Sequence, residues 1–488
     1  MFEPNRKVFE ERREIFLNKL GGKAAIIPGA NLVKHHADCE YPFRQDSNFW
    51  YLTGFDEPDA IALFLSHKPK GERFIMFVAP KDVISEVWHG FRWGLEGAEK
   101  EFKADKAHSI NELRDLLPNY INGSDELVFS IGKHPKIEKI VLEIFSQQLE
   151  NRSRSGIGAN SIKSPEIYLN EMRLIKSEFE IKRMREAIQI SAEAHELVRE
   201  SISSKKNERQ IQGLLEGFFL EKGARGPAYN SIVASGDNAC ILHYTSNNSP
   251  LKKEDLLLVD AGCSLIDYYN GDITRTIPIG GKFSNEQKVI YEIVLSAQKN
   301  AIKSAVKGSN SNAVHNVALT ILIEGLKEIG LLSGSTEEII ENQSYKHLYM
   351  HRTGHWLGLD VHDVGAYRMG DYEVPLQNGM ILTVEPGIYI SDRIPVPEGQ
   401  PPIDEKWKGI GIRIEDDVLV KDSNPEVLSI AALKEIGLLS GSTEEIIENQ
   451  SYKHLYMHRT GHWLGLDVHD VGAYRLGDYE VPLENGTS

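Results

Sequence analysis

Four apolar runs in the second half of the chain each carry a carboxylate, and this pattern restricts the possible fold more than any other feature. The runs are LLLVDAG with Asp260, GDITRT with Asp272, LTVEPG with Glu385 and GIRIEDD with Glu415. Short apolar runs bounded by turn residues are typical of buried strands. Because like charges close together in a protein interior are costly, the fold must supply something cationic between these groups.

Asp260 and Asp272 are separated by the polar, glycine-containing stretch CSLIDYYNG. Two strands joined by such a turn pair antiparallel, so we expect both carboxylates at the same end of a hairpin. Along GIGIRIEDD, alternation places Arg413 and Glu415 on one face of a strand. Taken singly, each aspartate has the ordinary alternative of a turn or capping residue, and Arg413 with Glu415 that of a buried structural ion pair.

The segment HRTGHWLGLDVHD contains His351, His355 and His362. The spacing of the first two is that of the helical H-E-x-x-H zinc motif, but Arg352 occupies the glutamate position and Gly354 weakens a helix, so we reject that motif. Two interpretations are left: one metal ligand with neighbouring substrate-contacting histidines, or hydrogen-bonded core histidines. Three histidines in one short stretch, with His243 elsewhere, favour a functional role.

Four carboxylates joined by one imidazole would form an oxygen-rich site. Such a ligand set suits hard or borderline divalent ions such as manganese, cobalt or iron better than a thiolate-type zinc site. A site so rich in carboxylates that can bridge metals favours two ions over one.

Charge and hydropathy exclude several functional classes. The net charge of −16 without a basic cluster makes nucleic acid an unexpected partner. No apolar run approaches the roughly 18 to 20 residues of a membrane helix. The start, MFEPNRKVFEERREIFLNKL, lacks the features of a signal or transit peptide, so we expect a cytoplasmic protein. The three cysteines show no metal-type spacing and predict no disulfide framework.

Element patterns divide the chain at about residue 170. In residues 1–170 the runs KAAIIPG, AIALFLS, RFIMFVAP and ELVFSIG alternate with helix-like segments near 111–117 and 135–145, which predicts an α/β domain. A long helix with a capping box, Ser177 and Glu180, opens residues 171–430. Helices expected at 207–222, 285–306 and 311–330, together with the strand-like runs, predict an α+β domain with an antiparallel sheet.

Residues 326–379 recur almost unchanged at 433–486, with differences only at Met369/Leu476 and Gln377/Glu484. The second copy repeats the histidines as His458, His462 and His469, but the chain ends before any counterpart of Glu385 or Glu415. Two copies separated by unrelated sequence do not form a solenoid. We therefore predict that copy one occupies the site and that 431–488 is a non-catalytic appendage, whose Leu455, Trp463 and Leu464 would be exposed.

Six ordered motifs resemble those of the Xaa-Pro aminopeptidases (aminopeptidase P) of the pita-bread metallopeptidases: ILHYTSN, LLLVDAG, GDITRT, HRTGHWLGLDVHD, LTVEPG and GIRIEDD. The stretch CEYPFRQDSNFWYLTGF resembles the N-terminal domain that accompanies them. The resemblance covers about residues 1–430. It implies an N-terminal α/β domain followed by a pita-bread catalytic domain with a curved antiparallel sheet.

The resemblance also implies the site residues. It matches five metal ligands, Asp260, Asp272, His355, Glu385 and Glu415, to a centre of two divalent ions, most often manganese (Mn2+). It places His243, His351, His362 and Arg413 around the substrate, with His362 near the scissile carbonyl. Tyr229 and Trp88 match residues that line or cover the pocket, the latter from a neighbouring subunit, so a homo-oligomer (dimer or tetramer) is expected.

The implied activity is hydrolysis of the N-terminal Xaa-Pro bond of peptides by a metal-bridged hydroxide, with Glu385 transferring the proton. One alternative within the class is a prolidase restricted to Xaa-Pro dipeptides. An alternative from another class is a metal-free binding protein on the same fold.

Overall fold

The computed structural model describes residues 6–429 and, in the second copy, the backbone of 475–476 and 479–480. The chain divides into two units, Met1–Leu433 and Lys434–Ser488. Arg475 and Leu476 pair with Glu480 and Tyr479 in the register of the matching pairs in copy one, so the hairpin tolerates the difference between Met369 and Leu476. The other predictions for the second copy, on His458, His462, His469, Leu455, Trp463 and Leu464, lie outside the described residues.

Helices occur where the periodicity predicts them. Ser177 and Glu180 form the expected capping box, and the helix that they begin runs to Ser201. The helices of residues 6–429 are α1 (Arg6–Leu20), α2 (Ser47–Thr53), α3 (Val83–His89), α4 (Gly94–Lys100), α5 (Leu113–Ile121), α6 (Pro135–Ser155), α7 (Glu166–Leu174), α8 (Glu178–Ser201), α9 (Glu208–Glu221), α10 (Asn285–Ser304), α11 (Ser311–Glu328) and α12 (Thr336–Glu341). None of them is long and apolar enough to cross a membrane.

The N-terminal strands form a mixed six-stranded sheet. The strands are β1 (Ala24–Pro28), β2 (Lys34–His36), β3 (Cys39–Glu40), β4 (Ile61–Leu65), β5 (Phe74–Val78), β6 (Lys106–Ser109), β7 (Glu126–Val128) and β8 (Ser161–Lys163). The sheet order is β6-β5-β4-β1-β7-β8, while β2 and β3 form a separate hairpin. The four predicted apolar runs are β1, β4, β5 and β7, and alternate residues of the strands enter two different cores, one on each face.

The later strands pair only antiparallel within residues 226–427. They are β9 (Gly226–Pro227), β10 (Ile232–Ser235), β11 (Leu256–Asp260), β12 (Cys263–Ser264), β13 (Thr274–Pro278), β14 (Arg368–Met369), β15 (Tyr372–Glu373), β16 (Ile381–Val384), β17 (Gly387–Ile390), β18 (Ile410–Arg413), β19 (Asp416–Leu419) and β20 (Glu426–Val427). The main ladders are β10-β11-β13, β16-β19-β20 and β17-β18. An isolated bridge between Thr274 and Glu415 connects the first ladder to the segment between β18 and β19.

The carboxylates lie where these ladders end or are interrupted. Asp260 is the last residue of β11, and Asp272 lies two residues before the start of β13. Glu385 and Glu415 fall in the two-residue interruptions between β16 and β17 and between β18 and β19. Pro386, which has no N–H for a ladder bond, explains the first interruption. The fold therefore directs the ends of several strands at one point.

Elements on both sides of residue 170 contribute to one hydrophobic core. The predicted boundary therefore marks a change in the order of helices and strands, while the packing is continuous across it. That core joins residues of α1, α2 and the N-terminal sheet to residues of α8 and to Tyr268 and Tyr269. Across the same junction Arg12 of α1 pairs with Glu180 of α8 at 3.3 Å, with both side chains buried. The division at 170 remains a prediction from sequence.

Candidate active site

A cavity of about 1150 Å³ opens at the point where the strand ends converge. Ten of the eleven predicted site residues line it: Tyr229, His243, Asp260, Asp272, His351, His355, His362, Glu385, Arg413 and Glu415. The eleventh, Trp88, lies on α3 away from this cavity and is 78% exposed. Within one chain the structure thus brings together every predicted residue except the one expected from a neighbouring subunit.

The two aspartates lie together because of strand register. Asp260 pairs with Thr274 across β11 and β13, which brings Asp272 to the same end of the hairpin, as predicted. The Tyr229 hydroxyl lies against both carboxylates, 2.5 Å from Asp260 Oδ1. Tyr229 is therefore in direct contact with the acidic group.

Asp272, His355 and Glu415 form a compact cluster, with one ligand-type atom from each within 4.8 Å of the others. His355 Nε2 lies 3.4 Å from Asp272 Oδ2 and 3.7 Å from Glu385 Oε1. The other ring nitrogen, Nδ1, donates to the Trp356 carbonyl at 3.0 Å. Since a carbonyl can only accept, Nδ1 carries a proton and Nε2 faces the carboxylates, the orientation found in metal-binding histidines.

The backbone around His355 is not helical, which agrees with the rejection of the H-E-x-x-H motif. Thr383 N donates to the His355 carbonyl at 2.9 Å, and Glu385 N donates to that of Thr353 at 2.7 Å. A Cβ on Gly354 would lie 1.9 Å from the Thr383 carbonyl oxygen, so only glycine allows this approach. The approach fixes His355 beside Glu385.

Arg413 links the acidic group to the histidines. Its buried guanidinium donates to Asp260, to Thr274 Oγ1 at 3.1 Å and to Tyr389 Oη at 2.9 Å. Tyr389 Oη lies 2.8 Å from His351 Nε2, while His351 Nδ1 lies 2.7 Å from the Arg352 carbonyl. His351 is thus held as a neutral imidazole. Burial and, to a smaller extent, the positive charge of Arg413 lower the pKa of His351 to about 3.

The electrostatics of the site fit a bound cation. Burial raises the pKa of the Asp260 carboxyl, raises that of Glu385 to about 7 and raises that of Glu415 well above its usual range. Burial alone would lower the pKa of His355, but the hydrogen bond to Asp272 and the charge of Glu385 raise it to about 9. Even with His355 and Arg413 beside them, the carboxyl groups of Asp260, Glu385 and Glu415 keep raised pKa values. Oxygen donors around one imidazole are the ligands that divalent ions prefer.

Three residues that sequence reasoning missed support this group. Thr274 Oγ1 donates to Glu415 at 2.5 Å, and Asp417 accepts the backbone N–H of Asp272 at 3.0 Å. Tyr389 connects Arg413 to His351. Alternation from Asp272 into β13 could have indicated Thr274, but no local pattern singles out Tyr389 or Asp417, because their partners are distant in sequence.

Comparisons with known proteins agree with this geometry. Residues 182–422 match metallopeptidase family M24, and residues 9–129 match the aminopeptidase P N-terminal domain. The Xaa-Pro aminopeptidase of Haemophilus influenzae is 42% identical over 432 residues, which are 88% of this chain and 96% of the relative. That of Escherichia coli K12 is 37% identical over 436 residues, 89% of this chain and 97% of the relative.

Solved structures show the same fold. The structure of Pseudomonas aeruginosa aminopeptidase PepP superposes with a TM-score of 0.83 at 39% identity, covering 89% of this chain and 97% of the other. Zinc-substituted E. coli aminopeptidase P in complex with product superposes with a TM-score of 0.82 at 36% identity, with the same two coverages of 89% and 97%.

Proposed function

The chain belongs to metallopeptidase family M24, in the branch that carries the aminopeptidase P N-terminal domain, and from this premise we propose that it removes the N-terminal residue from peptides whose second residue is proline. The convergence of Asp260, Asp272, His355, Glu385 and Glu415 in one cavity is the observation that carries the proposal. A metal-free binding protein would have no use for so many poorly compensated carboxylates, which argues against that alternative.

The same five residues would hold two divalent ions, and manganese is the proposed metal. Two ions fit better than one because four carboxylates supply enough oxygens to bridge a pair. Bound divalent ions would supply Lewis acidity, which lowers the pKa of a water molecule and polarises a carbonyl group.

The protein side chains would position the peptide and move the proton. Glu385 would accept a proton from the attacking water and deliver it to the proline nitrogen, which as part of a tertiary amide has no hydrogen of its own. His362 would donate a hydrogen bond to the carbonyl oxygen as its negative charge develops. His243 and the Tyr389-anchored His351 would flank the substrate, and Arg413 would hold Asp260 in place.

Peptide length separates an aminopeptidase from a prolidase. We expect manganese-dependent release of the first residue from an Xaa-Pro-Pro peptide at a rate well above that for the Xaa-Pro dipeptide, because the cavity is wide enough for residues beyond proline. The measurement is kcat/KM over a series from dipeptide to pentapeptide. Cleavage of the dipeptide alone would indicate a prolidase, and cleavage of neither would exclude the proposal.

The same assay examines the second copy when it is run on the full chain and on a chain ending at residue 430. The copy lacks counterparts of Glu385 and Glu415, so both chains should cleave at similar rates. A faster truncated chain would show that the second copy interferes with the first.

Self-association is proposed from an apolar patch on α3 and the residues just after it. The patch consists of Val83, Ile84, Val87, Trp88 and Phe91, which are 64% to 79% exposed. Surface clusters of this kind mark interaction sites, and a neighbouring subunit could bring Trp88 to a cavity. We therefore expect a dimer or tetramer by sedimentation velocity that Val87→Glu shifts toward monomer. Leu220→Glu, at an exposed leucine on α9, is the control and should leave the distribution unchanged.

A further inference from the structure

The loop that carries His362 is held by residues of the N-terminal half, defined here as residues 1–170, and by residues just after it. This loop, here called the His362 loop, comprises residues 358–363. Asp360 and Asp363 lie on either side of His362 in sequence, and neither belongs to the acidic metal-type cluster. Both are instead paired with cations from distant parts of the chain.

Asp363 is buried between two cations. Arg173 Nη2 donates to its Oδ1 at 2.5 Å, and Lys176 Nζ donates to its Oδ2 at 3.0 Å. All three side chains are at least 97% buried. The backbone N–H of Asp363 also donates to the Trp356 carbonyl at 2.8 Å. The residue after His362 is therefore fixed in both its side chain and its backbone.

Asp360 is held by the N-terminal half and by the same arginine. Arg44 Nη2 donates to its Oδ1 at 2.9 Å, and Ser47 Oγ donates to that oxygen at 2.7 Å. Arg173 Nη2 donates to its Oδ2 at 2.7 Å. Arg173 thus pairs with both aspartates, and its other nitrogen, Nη1, donates to Asn48 Oδ1 at 2.8 Å.

His362 itself is exposed to the cavity, and its ring lies beside that of His355, with centroids 4.2 Å apart. The direction of an exposed imidazole depends strongly on where the backbone places its Cα. Here the backbone is fixed by the two flanking aspartates, and these are fixed by Arg173.

We propose that Arg173 is a positioning residue for His362, and that Arg44 and Ser47 couple the N-terminal half to the reaction within the same subunit by holding the same loop. The proposal rests on the proposed role of His362 at the substrate carbonyl. A small displacement of a transition-state group costs up to about 100-fold in rate, so an interaction outside the cavity can control catalysis through this loop.

The test is a double-mutant cycle between Arg173→Met and His362→Ala. Arg173→Met should lower kcat for the Xaa-Pro-Pro peptide by about 30- to 100-fold with little change in KM, because His362 would act mainly in the transition state. In the His362→Ala background the same substitution should have almost no further effect on kcat. If Arg173→Met lowers kcat by the same factor with and without His362, the two residues act independently and the proposal is overturned.

Arg12→Met is the matched control. Arg12 is also a buried arginine that joins the two halves, through Glu180 and Tyr269, and none of its partners lines the cavity. Its replacement should lower Tm but leave kcat within about threefold, a change typical of a site without coupling to the reaction. If Arg12→Met and Arg173→Met lower kcat equally, the effect of Arg173 is general destabilisation and the proposal fails.

Asp360→Asn is a milder variant for the case in which Arg173→Met does not fold. It keeps the shape of the side chain and removes the charge that Arg44 and Arg173 share. It should reduce kcat by about tenfold, again only when His362 is present. Full kcat in Asp360→Asn would contradict the proposal.

Hydrogen exchange on the metal-free protein gives a readout independent of activity. Peptides that include Met369 are distinguishable from the second copy, which carries Leu476. Arg173→Met should speed exchange in the His362 loop, whereas Arg12→Met should not. If His362→Ala does not lower kcat, the proposed role of His362 fails. If His362→Ala lowers kcat, but Arg173→Met shows no coupling to His362 in the cycle and does not speed exchange in the loop, only the present inference fails.

Discussion

Glu385→Ala should lower kcat for release of the first residue of an Xaa-Pro-Pro peptide by at least about 1000-fold at saturating manganese. The carboxylate has two proposed tasks, since it would bind metal and transfer the proton to the proline nitrogen. Proton transfer by a positioned side chain alone contributes about 100- to 10,000-fold. The measurement is kcat and KM by quantification of the freed amino acid.

Glu373→Ala is the matched control for this substitution. Glu373 lines the same cavity, but it pairs with Arg368 at 3.2 Å and has no proposed task in metal binding or proton transfer. It should change kcat by less than about tenfold, because Glu373 has no proposed interaction that forms only in the transition state. Turnover by Glu385→Ala within tenfold of the unmodified enzyme would refute the assignment of the active site.

The cause of the loss can be separated by measuring metal content. Glu385→Gln keeps an oxygen donor but cannot accept the proton at neutral pH. If the glutamine variant binds metal and is still inactive, proton transfer is the lost function. If both variants lose metal, the effect of Glu385 on rate comes from metal binding.

Removal of divalent ions should abolish activity completely, and added manganese should restore it. The chemistry requires Lewis acidity that no side chain of the cavity supplies, and burial raises the pKa values of Asp260, Glu385 and Glu415, which a bound cation would offset. The measurement is activity after dialysis against a chelator and after titration with manganese, with metal content determined by elemental analysis. Two equivalents at full activity are expected, and saturation at one equivalent would contradict the two-ion proposal.

Metal should also stabilise the fold. A ligand that binds only the folded state at 100 times its Kd adds about 2.7 kcal/mol to the free energy of unfolding, so Tm should rise on reconstitution. Asp272→Asn provides the control, because it retains the size of the side chain but removes a charge from the cluster with His355 and Glu415. Manganese should raise its Tm much less. Full activity in metal-depleted protein would refute metal dependence.

Local patterns were sufficient for much of the fold. Short continuous apolar runs predicted β1, β4, β5 and β7, and the Ser177–Glu180 spacing predicted the start of α8. These signals depend on residues a few positions apart, which is the range over which strand and helix periodicity acts. The hairpin geometry that brings Asp260 to Asp272 is of the same kind, because its two strands are neighbours in sequence.

Local patterns did not reveal where the antiparallel ladders are interrupted. They also did not reveal which side chains form hydrogen bonds between the interrupted strands. Thr274 meets Glu415, and Asp272 meets Asp417, over about 140 residues of chain. The resemblance in motifs had named the residues of the cavity, but it did not indicate Tyr389 or the contacts of Arg173 with the His362 loop. Side-chain hydrogen bonds of this range depend on how the elements pack together, so a single sequence carries no periodic signal for them.

The amino-acid sequence by itself determined the residue types of the site and the strand ends that carry them. It also showed that the segment HRTGHWLGLDVHD occurs twice without change. The two copies of this segment are identical, so the segment by itself does not distinguish them; the prediction that copy one occupies the site came from the missing counterparts of Glu385 and Glu415 in the second copy. The tertiary structure places His351, His355 and His362 of the first copy at the cavity. The physical reason is that His355 needs Glu385, Asp272 and Glu415 beside it, and only the ordered pairing of strands that follow and precede the first copy supplies those carboxylates.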